Sequence, residues 1–144
     1  MKKLFHLLWI AGCAALMTGC ATGPKYADVK SSIPALGPDN GRIYFYRTAV
    51  VGAAVQPKVK LNGEVVGTSK PKGFFYVDRP PGDYQVETST EVKRRLSLTL
   101  DKGQSRYVRL NISMGFFVGH VYPELVENDV GEKEIVKCKY TGSQ

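Results

Sequence analysis

Apolar and polar residues alternate with a period of two along most of the chain after residue 40. Leu96, Leu98 and Leu100 are separated by Ser97 and Thr99, so the leucines share one face of a strand and the polar side chains share the other. Comparable patterns predict strands over 42–47, 58–61, 65–69, 74–77, 84–87, 96–100, 108–112 and 118–126. We expect the strands over 84–87, 96–100 and 108–112 to have one solvated face each.

Turn-forming residues separate these strands. Asn62-Gly63 follows an alternating segment and suits a type I′ hairpin turn, in which both central residues need positive φ. Pro80-Pro81-Gly82-Asp83 predicts a second turn, because proline cannot donate to a strand ladder. The short segment 101–104 predicts that the strands on either side of it form an antiparallel hairpin.

The C-terminal part of the sequence has the pattern of a short helix. Asn128 or Asp129 is placed to cap it, Glu132 lies in its first turn, and Lys137 and Lys139 lie near its end. The chain has 15 Gly and 8 Pro, in keeping with many turns between short elements. The fold predicted from these patterns is a mainly β, antiparallel sandwich of about seven or eight strands, transthyretin-like or immunoglobulin-like, with a short C-terminal helix.

The N-terminus carries an export signal. Lys2 and Lys3 precede an apolar stretch, which ends at Met17-Thr18-Gly19-Cys20. This tetrad resembles the lipobox of bacterial lipoproteins, in which small residues precede a cysteine whose thiol accepts a diacylglyceryl group. The resemblance implies cleavage before Cys20, further acylation with chains such as palmitate, and, because Ala21 follows, sorting to the outer membrane. The expected organisation is a signal peptide over 1–19, a lipidated N-terminus and flexible tether over 20–40, and a sandwich domain over 41–144.

The net charge and the number of histidines limit the classes of function that the sequence supports. The net charge is +7, and two of these positive charges would leave with the signal. The remaining basic residues alternate with apolar ones as on solvated strands, although a surface for anionic lipid or cell-wall polymer is the alternative. Nucleic acid is not an expected partner of an exported protein. His120 would be the one histidine of the mature chain, so we expect no histidine-based metal site and no cofactor beyond the lipid on Cys20.

Four segments, taken in order, resemble the DUF2846 family of bacterial lipoproteins. They are Tyr44-Phe45-Tyr46-Arg47, the glycine-containing apolar loop 50–55, the segment from Val59 to Gly63, and Pro80-Pro81-Gly82. The resemblance covers residues 41–138 and implies a small β domain that faces the periplasm and has no established activity. Its Pro-Pro-Gly turn is similar to that of PEGA-like surface modules. No catalytic residue carries over from the family.

Two apolar segments and one arginine are the candidate functional residues. If exposed, the segments form an interaction patch whose members are Val50, Val51, Phe116, Phe117 and Val118. The alternative is that both segments pack inside the sandwich. Arg47 is a candidate contact for a carboxylate or phosphate, the alternative being an arginine stacked on Tyr44 or Tyr46.

The sequence therefore predicts a non-catalytic envelope protein, anchored to the outer membrane by lipid and facing the periplasm. It would act as an interaction module that docks onto another envelope protein or onto peptidoglycan. A lipoprotein that binds a small ligand between its sheets is the alternative. A cell-wall hydrolase is a third possibility, because two carboxylates that are distant in sequence can meet in space.

Overall fold

In residues 19–115 and 119–142, which the computed structural model describes, nine strands form two facing sheets with the orders β8-β7-β1-β4-β9 and β3-β2-β5-β6. The strands are β1 (Gly41–Tyr46), β2 (Lys58–Leu61), β3 (Glu64–Thr68), β4 (Gly73–Arg79), β5 (Gly82–Ser89), β6 (Lys93–Leu100), β7 (Ser105–Met114), β8 (Gly119–Val126) and β9 (Lys139–Tyr140). The helices are α1 (Tyr26–Val29), a 3-10 turn (Lys30–Ser32) and α2 (Asn128–Ile135). The mainly β sandwich is confirmed.

The inner faces of the two sheets form one apolar core. The alternation of β1 points Ile43 and Phe45 into it, and Phe45 stacks on Phe75 of β4 with ring centroids 5.0 Å apart. The remaining buried members come from both sheets: Val59, Leu61, Val66, Val77, Val86, Leu98, Leu100, Val108, Leu110 and Val121. Buried side chains of this kind supply most of the free energy that stabilises a small domain.

The Asn62-Gly63 turn has the predicted geometry. The φ angles of the two residues are 49° and 87°, and the turn joins β2 to β3. Asn62 also accepts a hydrogen bond from the Gln85 backbone N–H at its Oδ1, 2.7 Å away. An asparagine at this position therefore both tolerates positive φ and ties the hairpin to β5.

β1 differs from the other strands because all six of its residues are buried. Its second face, with Tyr44 and Tyr46, packs against Tyr107 of β7 and against a layer that includes Tyr26 and Ile135 of the two helices. The molecule therefore has three layers: the four-stranded sheet, the five-stranded sheet, and a helical layer on the outer face of the five-stranded sheet. The helical layer explains why a strand rich in tyrosine lies at the centre of its sheet.

The predicted hairpin across residues 101–104 is wrong. The segment closes a tight turn in which Gly103 has φ 74°, but β6 and β7 lie in different sheets. β7 pairs in parallel with β1, with Arg42 opposite Ser105, and the Arg42 N–H donates to the Gln104 carbonyl at 2.8 Å. β9 also pairs in parallel, with β4, so the five-stranded sheet is mixed rather than purely antiparallel.

Helix α2 occupies the predicted place, but its predicted caps are wrong. The N-cap position is Glu127, which makes no side-chain capping hydrogen bond, and Asp129 lies inside the first turn. Lys133, rather than Lys137 or Lys139, is the basic residue of the last turn, and Lys139 begins β9. No helix among the described residues has both the length and the apolar character needed to cross a bilayer.

The segment expected to be a flexible tether packs on the sandwich. Tyr26 is buried, with its ring edge-on to Phe74 at a centroid distance of 5.3 Å. The Tyr26 N–H donates to the Cys138 carbonyl at 3.0 Å, and the Tyr140 N–H donates to the Pro24 carbonyl at 2.8 Å. Because a single buried aromatic residue makes no periodic pattern, the sequence did not indicate this contact. The predicted signal peptide falls on residues 1–18, outside the described part, and on Gly19.

Candidate functional site

Cys20 is exposed at the edge of the sandwich, and its neighbours on both sides are bound to the domain. Before it, the Gln56 side-chain amide donates to the carbonyls of Gly19 at 2.7 Å and of Ala53 at 2.9 Å. After it, the Ala21 N–H donates to the Pro71 carbonyl at 3.0 Å, and Ala21 is buried. The position of the thiol is therefore fixed relative to the fold.

Strand directions place four connections at the same end as Cys20. Tyr46, the last residue of β1, lies opposite Phe74 near the start of β4, and Met114 of β7 lies opposite Gly119 of β8. The last residues of β5, in the other sheet, also lie at this end of the sandwich, because the Thr88 hydroxyl donates to the carbonyl of Val121, near the start of β8, at 2.7 Å. We call this the Cys20 end; it comprises Cys20, the connections that follow β1, β3 and β5, and the described residues on either side of the connection after β7, which are Met114, Gly115 and Gly119.

Exposed apolar side chains concentrate at the Cys20 end. Among the described residues, six large apolar side chains are exposed, and four of them belong to this end: Val50 at 47%, Val51 at 63%, Val92 at 45% and Met114 at 78%. The exposure that the interaction-patch hypothesis required of Val50 and Val51 is therefore present. The other members of the proposed patch, Phe116, Phe117 and Val118, lie outside the described residues.

The loop that carries Val50 and Val51 is held by Arg47, which is completely buried. The Arg47 guanidinium donates to the carbonyls of Val55 at 2.7 Å, Val51 at 2.8 Å and Gly52 at 3.0 Å. Burial lowers the pKa of Arg47. The two terminal nitrogens of Arg47 therefore donate to backbone carbonyls inside the protein and not to an external anion, while Nε is buried without a hydrogen-bond partner among the described residues.

Close packing also fixes the outer part of this loop. A side chain at Gly52 would overlap Ile112 of β7, and φ of Gly52 is 70°, which favours glycine. Ile112 in turn lies against Gly119, at the start of β8. The loop after β1 therefore lies beside the end of β7 and the start of β8, which brings Val51 and Met114 to the same end.

Charges are distributed unevenly between the two ends. Basic side chains lie in or beside the connections of the Cys20 end, where Glu91 is an acidic exception: Lys70, Lys72, Lys93 and Arg94. The opposite end, formed by the connections after β2, β4, β6 and β8, carries more acidic than basic side chains: Glu64, Asp83, Asp101 and Glu127, with Asp39 beside them. Its basic exceptions are Lys102, which pairs with Asp39 at 2.7 Å, and Arg79, which pairs with Glu64 at 3.3 Å. The Cys20 end is therefore apolar and positively charged.

A polar cluster with two carboxylates lies on the outer face of the larger sheet. Arg109 bridges Glu124 at 2.9 Å and Glu134 at 2.8 Å, and Asn111 also donates to Glu124. The Arg109 guanidinium lowers the pKa of Glu124. Burial, with the Glu134 carboxylate that accepts its hydrogen bond, raises the pKa of Tyr46. A general acid must be protonated, whereas Arg109 favours the ionised form of Glu124. Through its bond to Glu134, Arg109 also holds α2 against the sheet.

Cys138 and His120 both have structural partners. Cys138 is completely buried, its thiol donates to the Arg47 carbonyl at 3.5 Å, and burial raises its pKa to about 11. His120 Nδ1 lies 3.0 Å from the Thr90 hydroxyl. Within residues 19–115 and 119–142, no three His, Cys, Asp or Glu side chains are grouped so as to hold a metal ion.

An open cleft lies between the two helices over the tyrosine face of the larger sheet. Its floor includes Tyr44 and Tyr107, whose rings stack with centroids 4.9 Å apart and planes 11° from parallel. Its volume is about 570 Å³, and its rim is charged: Lys30, Asp129, Glu132 and Lys133. Burial raises the pKa of Tyr107.

Comparisons with known proteins identify the family. The model of the DUF2846 family, described as a protein of unknown function, matches residues 38–121. An uncharacterised protein of Haemophilus influenzae is 31% identical over 143 residues, which is 95% of this chain and 84% of that protein. The solved N-terminal domain of AlgF from P. aeruginosa is similar over 62% of this chain and 99% of that domain, with 14% identity and a TM-score of 0.43. The chain belongs to the DUF2846 family.

Proposed function

We propose that this chain is a lipoprotein of the bacterial outer membrane whose sandwich acts in the periplasm as a non-catalytic interaction module. The observation that carries the proposal is the exposed position of Cys20 at the edge of a fold that binds both of its neighbours. An acyl chain on this thiol leaves the protein without crossing the core. The partner of the module is another envelope protein or peptidoglycan.

The geometry around Cys20 is compatible with both steps of lipoprotein processing. The exposed thiol is accessible for thioether formation, and cleavage removes Gly19 together with its bond from Gln56. The bond from Ala21 to Pro71 is kept after cleavage, so the modified residue stays at the same place. Each buried methylene of an acyl chain contributes about 0.8 kcal/mol, so several chains together give a stable anchor where a single chain would give only marginal binding.

The polar clusters support a role without catalysis. The two carboxylates that the fold brings together, Glu124 and Glu134, are both bound by Arg109. The thiol of Cys138 is buried and its pKa is raised, which opposes use as a nucleophile. These groups hold elements together, as an interaction module requires.

Replacement of Cys20 tests the anchor. We expect Cys20→Ser to abolish incorporation of labelled palmitate and to remove the protein from the outer-membrane fraction. Both readouts are needed, because an uncleaved precursor keeps its apolar N-terminus and can remain with the inner membrane. Cys138→Ala is the matched control, since it removes the other cysteine of the mature chain and leaves labelling intact. Palmitate incorporation into Cys20→Ser would contradict the proposal.

The second candidate function is binding of a small ligand in the cleft between the helices. It is favoured by the size of the cleft, about 570 Å³, and by its charged rim, which offers two lysines and two carboxylates as polar contacts for a ligand. The space between the two sheets is less suitable because buried side chains fill it. Soluble peptidoglycan fragments are the probe: a rise in melting temperature that is lost in Lys30→Ala would favour this function over a protein partner.

A further inference from the structure

We propose that the Cys20 end is a membrane-docking surface, which rests on an anionic bilayer and inserts Val51 and Met114 among the lipid headgroups. This inference rests on the proposed lipid anchor and goes beyond it. An anchor with a flexible tether holds a domain near the membrane in any orientation. The structure instead points to one orientation, in which a specific end of the sandwich touches the bilayer.

The first argument is the short path between the anchor and the fold. Ala21 directly follows Cys20, is buried, and is bound through its N–H to the Pro71 carbonyl. The chain beyond it is also fixed, because the Pro24 carbonyl accepts a hydrogen bond from Tyr140. With no free residues between the thioether and the domain, the surface around Cys20 must lie close to the plane of the headgroups.

The second argument is the chemistry of that surface. Val50, Val51, Val92 and Met114 expose apolar side chains at the Cys20 end, where they would otherwise remain in water. Apolar side chains gain free energy when they enter the boundary between headgroups and acyl chains. The same end therefore provides the side chains that a bilayer surface accommodates.

The third argument is charge complementarity. Lys70, Lys72, Lys93 and Arg94 lie in or beside the connections of this end, with Glu91 as the acidic exception. Basic residues near a membrane surface are attracted to anionic phospholipid headgroups. The acidic connections lie at the opposite end, where the same membrane would repel them least. The uneven distribution of charge between the two ends thus favours the same orientation that the anchor imposes.

The fourth argument is that the loop with Val50 and Val51 is rigidly held. The buried guanidinium of Arg47 binds the carbonyls of Val51, Gly52 and Val55 from inside the protein. With the backbone oxygens turned inward, the side chains of the valines are held outward. A loop organised in this way loses little conformational freedom when it enters the bilayer.

Fluorescence quenching by lipids tests the orientation. The full lipidated protein is placed in vesicles of phosphatidylethanolamine and phosphatidylglycerol, with or without bromine on the acyl chains, and a fluorophore is attached at Val51→Cys or Met114→Cys. The label is site-specific because lipid blocks Cys20 and Cys138 is buried. The matched control is Lys102→Cys, at the opposite end. We expect brominated lipid to reduce emission at least twofold from positions 51 and 114, and to leave position 102 unchanged.

A second arm tests the charge. We expect omission of phosphatidylglycerol, or the change Lys93→Glu/Arg94→Glu, to reduce the quenching at position 51, while the protein still floats with the vesicles. Equal quenching at positions 51 and 102 in every vesicle would overturn the docking surface. So would a photo-crosslinker at position 51 that captures a protein instead of lipid in intact cells.

The two proposals fail in different ways. If mass spectrometry shows acylated Cys20 and the probes at 51 and 114 are not quenched, the anchor stands and the docking surface is wrong. If purified protein carries no acyl group, the anchor is wrong and the docking surface is overturned with it.

Discussion

At the scale of single residues, Arg47 shows how a buried cation can serve a loop rather than a ligand. Its position after an aromatic strand suggests an exposed anion contact, but its guanidinium is completely buried and binds backbone carbonyls. The sequence could not reveal this, because the carbonyls that accept its hydrogen bonds belong to every residue type. Only the path of the loop decides what an arginine of this kind contacts.

We expect Arg47→Met to lower the free energy of unfolding by roughly 2 kcal/mol, because the partly buried carbonyls of Val51 and Val55 would lose their charged donor. Urea unfolding measures the change. Arg79→Met is the control, since Arg79 makes a partly exposed ion pair with Glu64 at 3.3 Å, worth about 1 kcal/mol or less. Equal losses in the two variants would contradict the role assigned to Arg47.

The buried Cys138 predicts a loss of stability at alkaline pH. Burial raises its pKa from 9.0 to about 11, so the unfolded chain releases this proton at lower pH than the folded protein does. The stabilising contribution is complete below pH 9 and is lost as the pH rises towards 11. We expect the unfolding free energy of wild type to fall between these pH values, and to fall less steeply for Cys138→Ala. Parallel pH profiles of the two proteins would rule this out.

At the scale of elements, the contact between α2 and β7 shows a limit of pattern reading. Gly131 weakens the helical pattern, yet a side chain there would overlap the Tyr107 ring, so the glycine allows the helix to approach the sheet. Glu134 completes the contact through Arg109 and the Tyr46 hydroxyl. A residue that is unfavourable for the isolated helix is thus favourable for its packing.

We expect Gly131→Ala to destabilise the protein by about 1–3 kcal/mol, although alanine is the better helix former, because the added methyl group forces α2 away from Tyr107. Thermal unfolding followed by circular dichroism measures the effect. In the same helix, Lys133→Ala removes only an exposed pair with Asp129 and should change stability by less than about 0.5 kcal/mol. A stabilised Gly131→Ala variant would show that the helix docks less closely than described.

Most strand positions were predictable, and strand pairing was not. Alternation located the strands with one solvated face to within a few residues, because burial of the other face imposes the period. β1 has no solvated face, since all six of its residues are buried, and was indicated by its aromatic and branched residues as well. It did not reveal the parallel pairing of β1 with β7, since a short loop looks the same whether it joins partners or crosses between sheets. β9 has two residues, too few to show a period.

At the scale of the whole molecule, the sandwich has two ends of different character. The Cys20 end gathers Val51, Met114 and basic side chains, whereas the far end carries acidic turns. The lipobox indicated Cys20, and composition suggested the apolar loop, but their closeness depends on strand directions and on the packing of the segment after Cys20. Four distant stretches of sequence become neighbours only when the sheets assemble.

The pairing of the chain ends has a consequence for how this protein can be extended. Lys139 forms an isolated β-bridge with Lys25, and the Tyr140 N–H donates to the Pro24 carbonyl, so the last strand lies beside the residues that follow Cys20. A reporter domain fused directly after Gly142 would therefore begin close to the residues that join Cys20 to the sandwich. The same reporter inserted between Lys102 and Gly103 would lie at the opposite end of the sandwich, away from Cys20.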